Sequence, residues 1–247
     1  MTGGVFYMKN NRSWLCLLFL PLLALSGLAE ERAAPEAGAV QPTEYIALTF
    51  DDSPNAALTE RLLDGLKERG AHATFFVVGE QLEGQEALVL RMKEEGHQIG
   101  NHTWTHRRLD NTGSVGAREL ARTEEALERL LGGKGYWVRP PWGFAAEETL
   151  REAGTPLLYW SVDTKDWSLL DADRVTEAIV ENAKHGDIVL LHDAYATSVD
   201  AALRAIDRLS GRGCEFVTVE ELFERMGIEP EPGCFYCRPD ELRAVSP

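Results

Sequence analysis

Between residues 45 and 226 the chain alternates, unit after unit, between short apolar runs rich in strand formers and longer stretches with helical spacing. The run 45–50 predicts a strand. The segment 55–69 predicts a helix whose Leu58, Leu62, Leu63 and Leu66 share a face, with Gly70 as its stop. The succession continues with strand 73–78 and helix 85–95, then strand 98–100 and helix 114–131, then strand 136–138 and helix 145–153. Strand 156–160 precedes helix 171–184, for which Asp173 is the expected cap. Strand 187–191 and helix 198–210 follow, then strand 214–217 and helix 219–226. About seven such units in a row imply an α/β protein with parallel strands and helices outside. Short, buried strands favour a closed or nearly closed (β/α)7-type barrel. An open doubly wound sheet is the alternative that alternation leaves standing.

The ends read differently. Lys9 and Arg12 precede an apolar run from Trp14 to Leu25, and Gly27, Leu28 and Ala29 place small residues where a signal peptidase cuts. Residues 1–29 therefore read as a secretory signal peptide, with Met8 as an alternative start and a retained anchor as the competing reading. The run is too short for a comfortable membrane span. The protein is expected to be secreted, periplasmic or in the cell envelope, with no stable membrane span after cleavage. Residues 30–43 are rich in Ala, Pro and Glu and read as a flexible linker. Residues 44–228 form the domain, and 229–247 an irregular Cys-containing tail. Beyond the signal, Cys214, Cys234 and Cys237 remain. In an oxidising compartment one pair and one spare are expected, either Cys214 with the tail or Cys234 with Cys237. With 25 basic and 40 acidic side chains, the formal charge of −15 excludes the basic footprint that nucleic-acid binding needs.

Residues able to do chemistry collect just past the predicted strands. Asp51 and Asp52 follow the first, His102 and His106 the third, Arg139 the fourth, Asp163 and Asp166 the fifth, His192 and Asp193 the sixth. In a parallel barrel these strand ends share the rim that carries the chemistry. His102 and His106 stand four apart, which on a helical turn or in a tight loop lets both imidazoles face one divalent cation. Two nearby histidines alone are more often structural, but the adjacent carboxylates of Asp51 and Asp52 change that balance. Neighbouring side chains at a strand end point apart, so one aspartate is expected to bind metal and the other to face substrate. A helix cap would explain one aspartate, not both. Two histidines and a carboxylate leave coordination positions open, as catalytic sites do. His192, oriented by Asp166, is a general-acid candidate. His72 and His97 precede strands, at the opposite rim, and read as structural. His185 has no assigned role.

Taken in order, five motifs name a family. Thr49 to Pro54 (Thr-Phe-Asp-Asp-Ser-Pro), His102 to His106 (His-Thr-Trp-Thr-His), Arg139 to Gly143 (Arg-Pro-Pro-Trp-Gly), Asp163 to Trp167 (Asp-Thr-Lys-Asp-Trp) and Leu190 to His192 (Leu-Leu-His) resemble those of the polysaccharide deacetylases with a NodB homology domain, carbohydrate esterase family 4. The resemblance runs from about residue 45 to 226, and the ordered set is far more specific than any one motif. It implies a distorted (β/α) barrel. It also implies removal of acetyl groups, mostly N-acetyl, from an amino-sugar polymer or oligomer such as peptidoglycan, a chitin-like chain or an exopolysaccharide. A divalent metal, most often zinc, is implied as cofactor, and an Asp-His-His set also suits cobalt or nickel. Carried over by position, Asp52, His102 and His106 resemble the metal ligands. Asp51 resembles the catalytic base, Arg139 the residue that holds it, and His192 the acid, with Asp166 orienting it. Trp142, Trp167 and Pro141 resemble walls of the sugar groove, Leu190 part of the acetyl-methyl pocket, and the Trp142 backbone N–H an oxyanion donor. Ser53 departs from the family's usual glycine, so the turn is expected to differ slightly with no chemical group lost.

Three rival functions share parts of this pattern. An O-acetyl esterase acting on xylan-type sugars would use the same site. A catalytically silent sugar-binding homologue would have no use for acid, base and metal ligands together. A barrel glycosidase would use two separated carboxylates and leave both histidines unexplained.

Overall fold

The structure, a computed structural model, describes residues 44–110 and 114–243. The predicted signal peptide and linker lie outside the described residues. The hub is β1 (Glu44–Ser53), a strand of ten residues. One edge of β1 pairs with β6 (Ile188–His192). The other pairs with β7 (Cys214–Phe216) along Glu44 to Ile46, then with β2 (Thr74–Val77) from Thr49 onward. β2 leads to β3 (Gln98–Asn101) and β6 to β5 (Val162–Asp163), all in parallel, giving the order β3-β2-β1-β6-β5.

From β3 to β4 (Leu157–Leu158) the path is carried by single parallel bridges, Asn101 to Val138 and Val138 to Leu157. Successive strands thus step in one direction, from β1 through β2, β3 and Val138 to β4, while β5 and β6 lead to the other edge of β1. That is the winding of a barrel, not of a doubly wound sheet, whose strand order reverses at a switch point. The barrel is distorted, and no continuous ladder closes it among the described residues. The expected strand 136–138 shrinks to one bridging residue because Pro140 and Pro141 follow and bring no N–H to a ladder. The expected strand 156–160 is broken into β4 and β5.

Strand alternation divides the interior from the outer layer. Ile46, Leu48 and Phe50 face outward into the main core with Leu62, Leu63 and Leu66 of α1 (Ala56–Glu68). The same core takes Val89 and Met92 of α2 (Glu86–Glu94), Leu127 of α3 (Ser114–Leu131), Ile179 of α6 (Ala172–Asn182) and Ile206 of α7 (Ala196–Ser210). Ala47, Thr49 and Asp51 point the other way, into the barrel. Ala47 meets Phe76, Leu158 and Ile188 there, closed off by Phe223 of α8 (Val219–Met226). β3 passes this cluster at Gly100, where a Cβ would lie 2.4 Å from the Phe76 ring. α4 (Glu147–Ala153) and the single-turn α5 (Asp166–Leu169) complete the α-helices among the described residues.

Three expectations need correction. The cap of α6 is Asp171, whose carboxylate accepts the backbone N–H of Asp173 and Arg174; Asp173 lies in the first turn. The tail is not irregular: β8 (Phe235–Arg238) adds in parallel to β4, and β9 (Glu241–Leu242) folds back on it. Phe235 and Tyr236 are buried, so a four-residue strand hides between Pro- and Gly-rich flanks. Finally, Cys214, Cys234 and Cys237 are all free thiols. Cys214 is buried on β7, its Sγ against the Glu44 carboxylate. An odd spacing along an extended chain turns Cys234 and Cys237 to opposite faces. No helix among the described residues is long and apolar enough to cross a membrane.

Candidate active site

The rim at the C-terminal ends of the strands gathers the polar residues. In the β1–β6 register Asp51 stands beside His192, so both inward side chains reach the rim together. Beneath Asp51 lies Arg139, fully buried, with its guanidinium 4.2 Å from the centre of the Phe76 ring. Arg139 Nη1 donates to Asp51 Oδ1 at 2.9 Å and to Thr49 Oγ1 at 2.6 Å; Nη2 donates to the Tyr159 carbonyl at 2.8 Å. Burial opposes the charge on Asp51, but Arg139, His102 and His192 outweigh it and hold the carboxyl below its ordinary range. A carboxylate that stays ionised in a buried place is what a base requires.

Asp52 behaves unlike its neighbour. Its φ is 62°, the left-handed region, which an L-residue enters only at a cost of about 1–2 kcal/mol. This turn corrects the expectation that the two carboxylates diverge. Asp52 Oδ1 lies 3.6 Å from His102 Nε2 and 3.2 Å from His106 Nε2, and Asp51 Oδ2 is also 3.6 Å from His102 Nε2. The histidine loop is no helix either, since Thr103 and His106 both adopt positive φ. Glu119 of α3 anchors that loop by accepting the backbone N–H of Trp104 and Thr105.

The donor set fits a divalent cation. His102 Nδ1–H donates to the Arg139 carbonyl at 2.7 Å, which leaves Nε2 as a free lone pair facing the cleft. Asp52 Oδ1 is buried yet has no hydrogen-bond partner. One ligand atom from each of Asp52, His102 and His106 falls within 4.8 Å of the others. Burial and the neighbouring His102 push the His106 pKa down, which favours the neutral form that binds metal.

On the far side of Asp51, His192 Nδ1 meets Asp166 Oδ1 at 3.0 Å, and the His192 backbone N–H donates to Asp166 Oδ2 at 2.8 Å. Ser198 donates to the same oxygen at 2.7 Å. Asp166 is buried at the head of α5. Burial lowers the His192 pKa, but the bond and charge of Asp166, helped by Asp51 and Asp52, raise it to about 9. The imidazole therefore carries its proton through neutral pH.

These groups open into one cleft of about 440 Å³. Trp142, Trp167 and Leu190 line it; Pro141 is buried and is not among its lining residues. Trp142 takes a φ of 55° and packs against His106, ring centres 4.3 Å apart. Sequence reasoning missed Phe144, Tyr159, Trp160 and Tyr195, and took Lys165 only as part of a motif; all five line the cleft. Tyr159 and Trp160 stack at 3.7 Å just after β4, where an aromatic pair beyond a strand was the available signal. His72 and His97 lie away from this cleft, and His97 Nδ1 accepts the Ala73 backbone N–H. His185 Nδ1 accepts the Tyr45 backbone N–H, a structural role that had not been assigned.

The sequence profile of the polysaccharide deacetylases matches residues 38–156. The chain is 37% identical over 190 residues to the peptidoglycan-N-acetylglucosamine deacetylase PgdA of Listeria monocytogenes, covering 76% of this chain and 41% of the relative. It therefore spans about two fifths of that protein's length. It is 34% identical over 204 residues to a chitooligosaccharide deacetylase of a Bradyrhizobium species, covering 75% of this chain and 93% of the relative. Among solved structures, a family 4 acetyl xylan esterase from Clostridium thermocellum, determined with a cobalt ion, superposes with a TM-score of 0.75 at 30% identity, covering 79% of this chain and 98% of the other. The chain belongs to the polysaccharide deacetylase family, carbohydrate esterase family 4.

Proposed function

We propose that the protein is a metal-dependent hydrolase that removes N-acetyl groups from an amino-sugar polymer or oligomer, of peptidoglycan or chitin-like type, outside the cytoplasm. The observation that carries this reading is the convergence of Asp52, His102 and His106 on one point, with Asp51 next to it and His192 beside Asp51. An amide is a poor electrophile and water a poor nucleophile at neutral pH. A divalent cation held by Asp52, His102 and His106, zinc first and cobalt or nickel as alternatives, would supply Lewis-acid polarisation and acidify a water.

This chain's own residues do the rest. Asp51 is ionised and takes the proton of the attacking water. Arg139 fixes the orientation of that carboxylate and favours its ionised form before it takes up that proton. The Trp142 backbone N–H, at the cleft wall, would receive the substrate carbonyl oxygen as negative charge grows on it. His192 delivers its proton to the departing nitrogen, and Asp166 holds the ring so that Nε2 carries that proton toward the cleft. Trp142 and Trp167, both half exposed at the cleft, offer apolar ring surface to sugar rings, and Leu190 an apolar wall for the acetyl methyl.

A second reading, O-acetyl esterase on a xylan-type chain, has the likeness to the acetyl xylan esterase in its favour. The two differ in leaving group, because an amine needs a proton far more than an alcohol does. The test is acetate release by metal-reconstituted protein from chitooligosaccharides, peptidoglycan, poly-N-acetylglucosamine and acetylated xylan, with and without chelator. Release from amino sugars that chelator abolishes is the expected result. Release from xylan alone selects the esterase, and chelator-resistant cleavage of glycosidic bonds overturns both.

A further inference from the structure

Asp52 reaches the histidines only because its backbone leaves the extended form, and something must hold it there. Its carbonyl accepts from Asn55 Nδ2 at 2.7 Å. The second hydrogen on that nitrogen goes to Asp193 Oδ1 at 2.6 Å. Asp193 is fully buried, and its other oxygen accepts from Thr59 Oγ1 at 2.5 Å. Thr59 Oγ1 in turn accepts the Asn55 backbone N–H at 2.7 Å. Asn55 is thus clamped at main chain and side chain, and its amide faces back toward Asp52. It occupies the N-cap position of α1 yet makes no side-chain bond to that helix. An asparagine there ordinarily caps, so its use elsewhere needs another reason. Two donors converging on Asp193 also explain a residue that only accepts, which an ionised carboxylate does and an amide does not.

We propose that Asn55 and Asp193 are positioning residues that hold the left-handed turn at Asp52 and so aim its Oδ1 at the point shared with His102 and His106. The inference rests on the metal-site reading above. Asp193 follows His192 directly, and His192 is in register with Asp51, so the two sides of the site share one support. Groups that brace a ligand without touching the metal commonly control affinity ~10–100-fold.

The discriminating variant is Asn55→Ser, a residue equally suited to the N-cap position but unable to span from Asp52 to Asp193. Zn2+ affinity is measured by competition with a chromophoric chelator, Co2+ coordination by its visible absorption, and stability by melting of the metal-free protein. Asn55→Ser is expected to weaken Zn2+ binding ~10-fold or more and to alter the Co2+ spectrum, with little change in metal-free melting. Asp193→Asn, which keeps one acceptor for Asn55, is expected to fall between Asn55→Ser and wild type. Zn2+ affinity within twofold of wild type in Asn55→Ser overturns the proposal, as does lower melting with unchanged affinity and spectrum. If wild-type protein itself takes up no Zn2+ or Co2+, the metal-site reading fails and this inference falls with it.

Discussion

His106 and His192 stand on opposite sides of Asp51, and their environments drive them opposite ways. His106 sits half-buried beside a second imidazole, and its pKa is pushed down by burial and by His102. His192 suffers burial too, but Asp166 accepts from its Nδ1 and lifts it to about 9. The same side chain is thus prepared as a neutral ligand in one place and as a proton donor in the other. A single carboxylate within bonding distance of Nδ1 decides which. For His102 that partner is a neutral carbonyl, which fixes the tautomer without adding charge.

This contrast can be broken at several points. Removing a ligand is the most severe change: His102→Ala is expected to abolish both metal retention and acetate release. Metal content by elemental analysis checks this, and a variant that keeps stoichiometric zinc would show that the centre lies elsewhere. Asp51→Asn comes next, with metal retained and turnover lower by ~10²–10⁴-fold, the usual worth of a general base. Wild-type acetate release from it removes Asp51 from the mechanism. Asp166→Asn is milder in rate but more informative. Wild-type kcat/KM should fall as pH rises through about 9, where His192 loses its proton. In Asp166→Asn that limb should move toward the ordinary histidine value near 6.5.

The same pair carries a stability signature. Because the folded pKa of His192 lies above its ordinary value, its contribution is complete below about pH 6.5 and disappears as pH rises through about 9. Asp166→Asn should flatten that part of a melting-temperature profile. Ser198→Ala is the smallest change, since it removes one neutral donor to Asp166 and leaves His192 bonded. A shift of the alkaline limb by a fraction of a pH unit is expected, toward higher pH, because Asp166 becomes more basic. A shift comparable to that of Asp166→Asn would mean Ser198, not Asp166, sets the His192 proton affinity.

Much of this was legible from residue order because barrel geometry converts strand ends into neighbours. Asp51, His102, Arg139 and His192 are far apart in sequence, yet each closes a strand or bridge. What stayed hidden depended on backbone or context. The left-handed turn at Asp52 reverses the expected direction of its carboxylate, and no residue type there announces it. Asp171 and Asp173 are equally good caps on paper, and only the helix start chooses between them. Pro141 reads as a groove residue from its motif but is buried, while Tyr159 and Trp160 reach the cleft just where the strand breaks. The β8 strand escaped because four residues between turn formers show too little periodicity.

Arg139 joins both halves of the cleft through different parts of one residue. Its guanidinium grips Asp51 while its carbonyl takes the Nδ1–H of His102. Anyone transplanting this chemistry onto another scaffold would have to import that residue with its backbone path intact. Copying the visible reactive groups alone would leave one of them spinning freely and another wrongly charged.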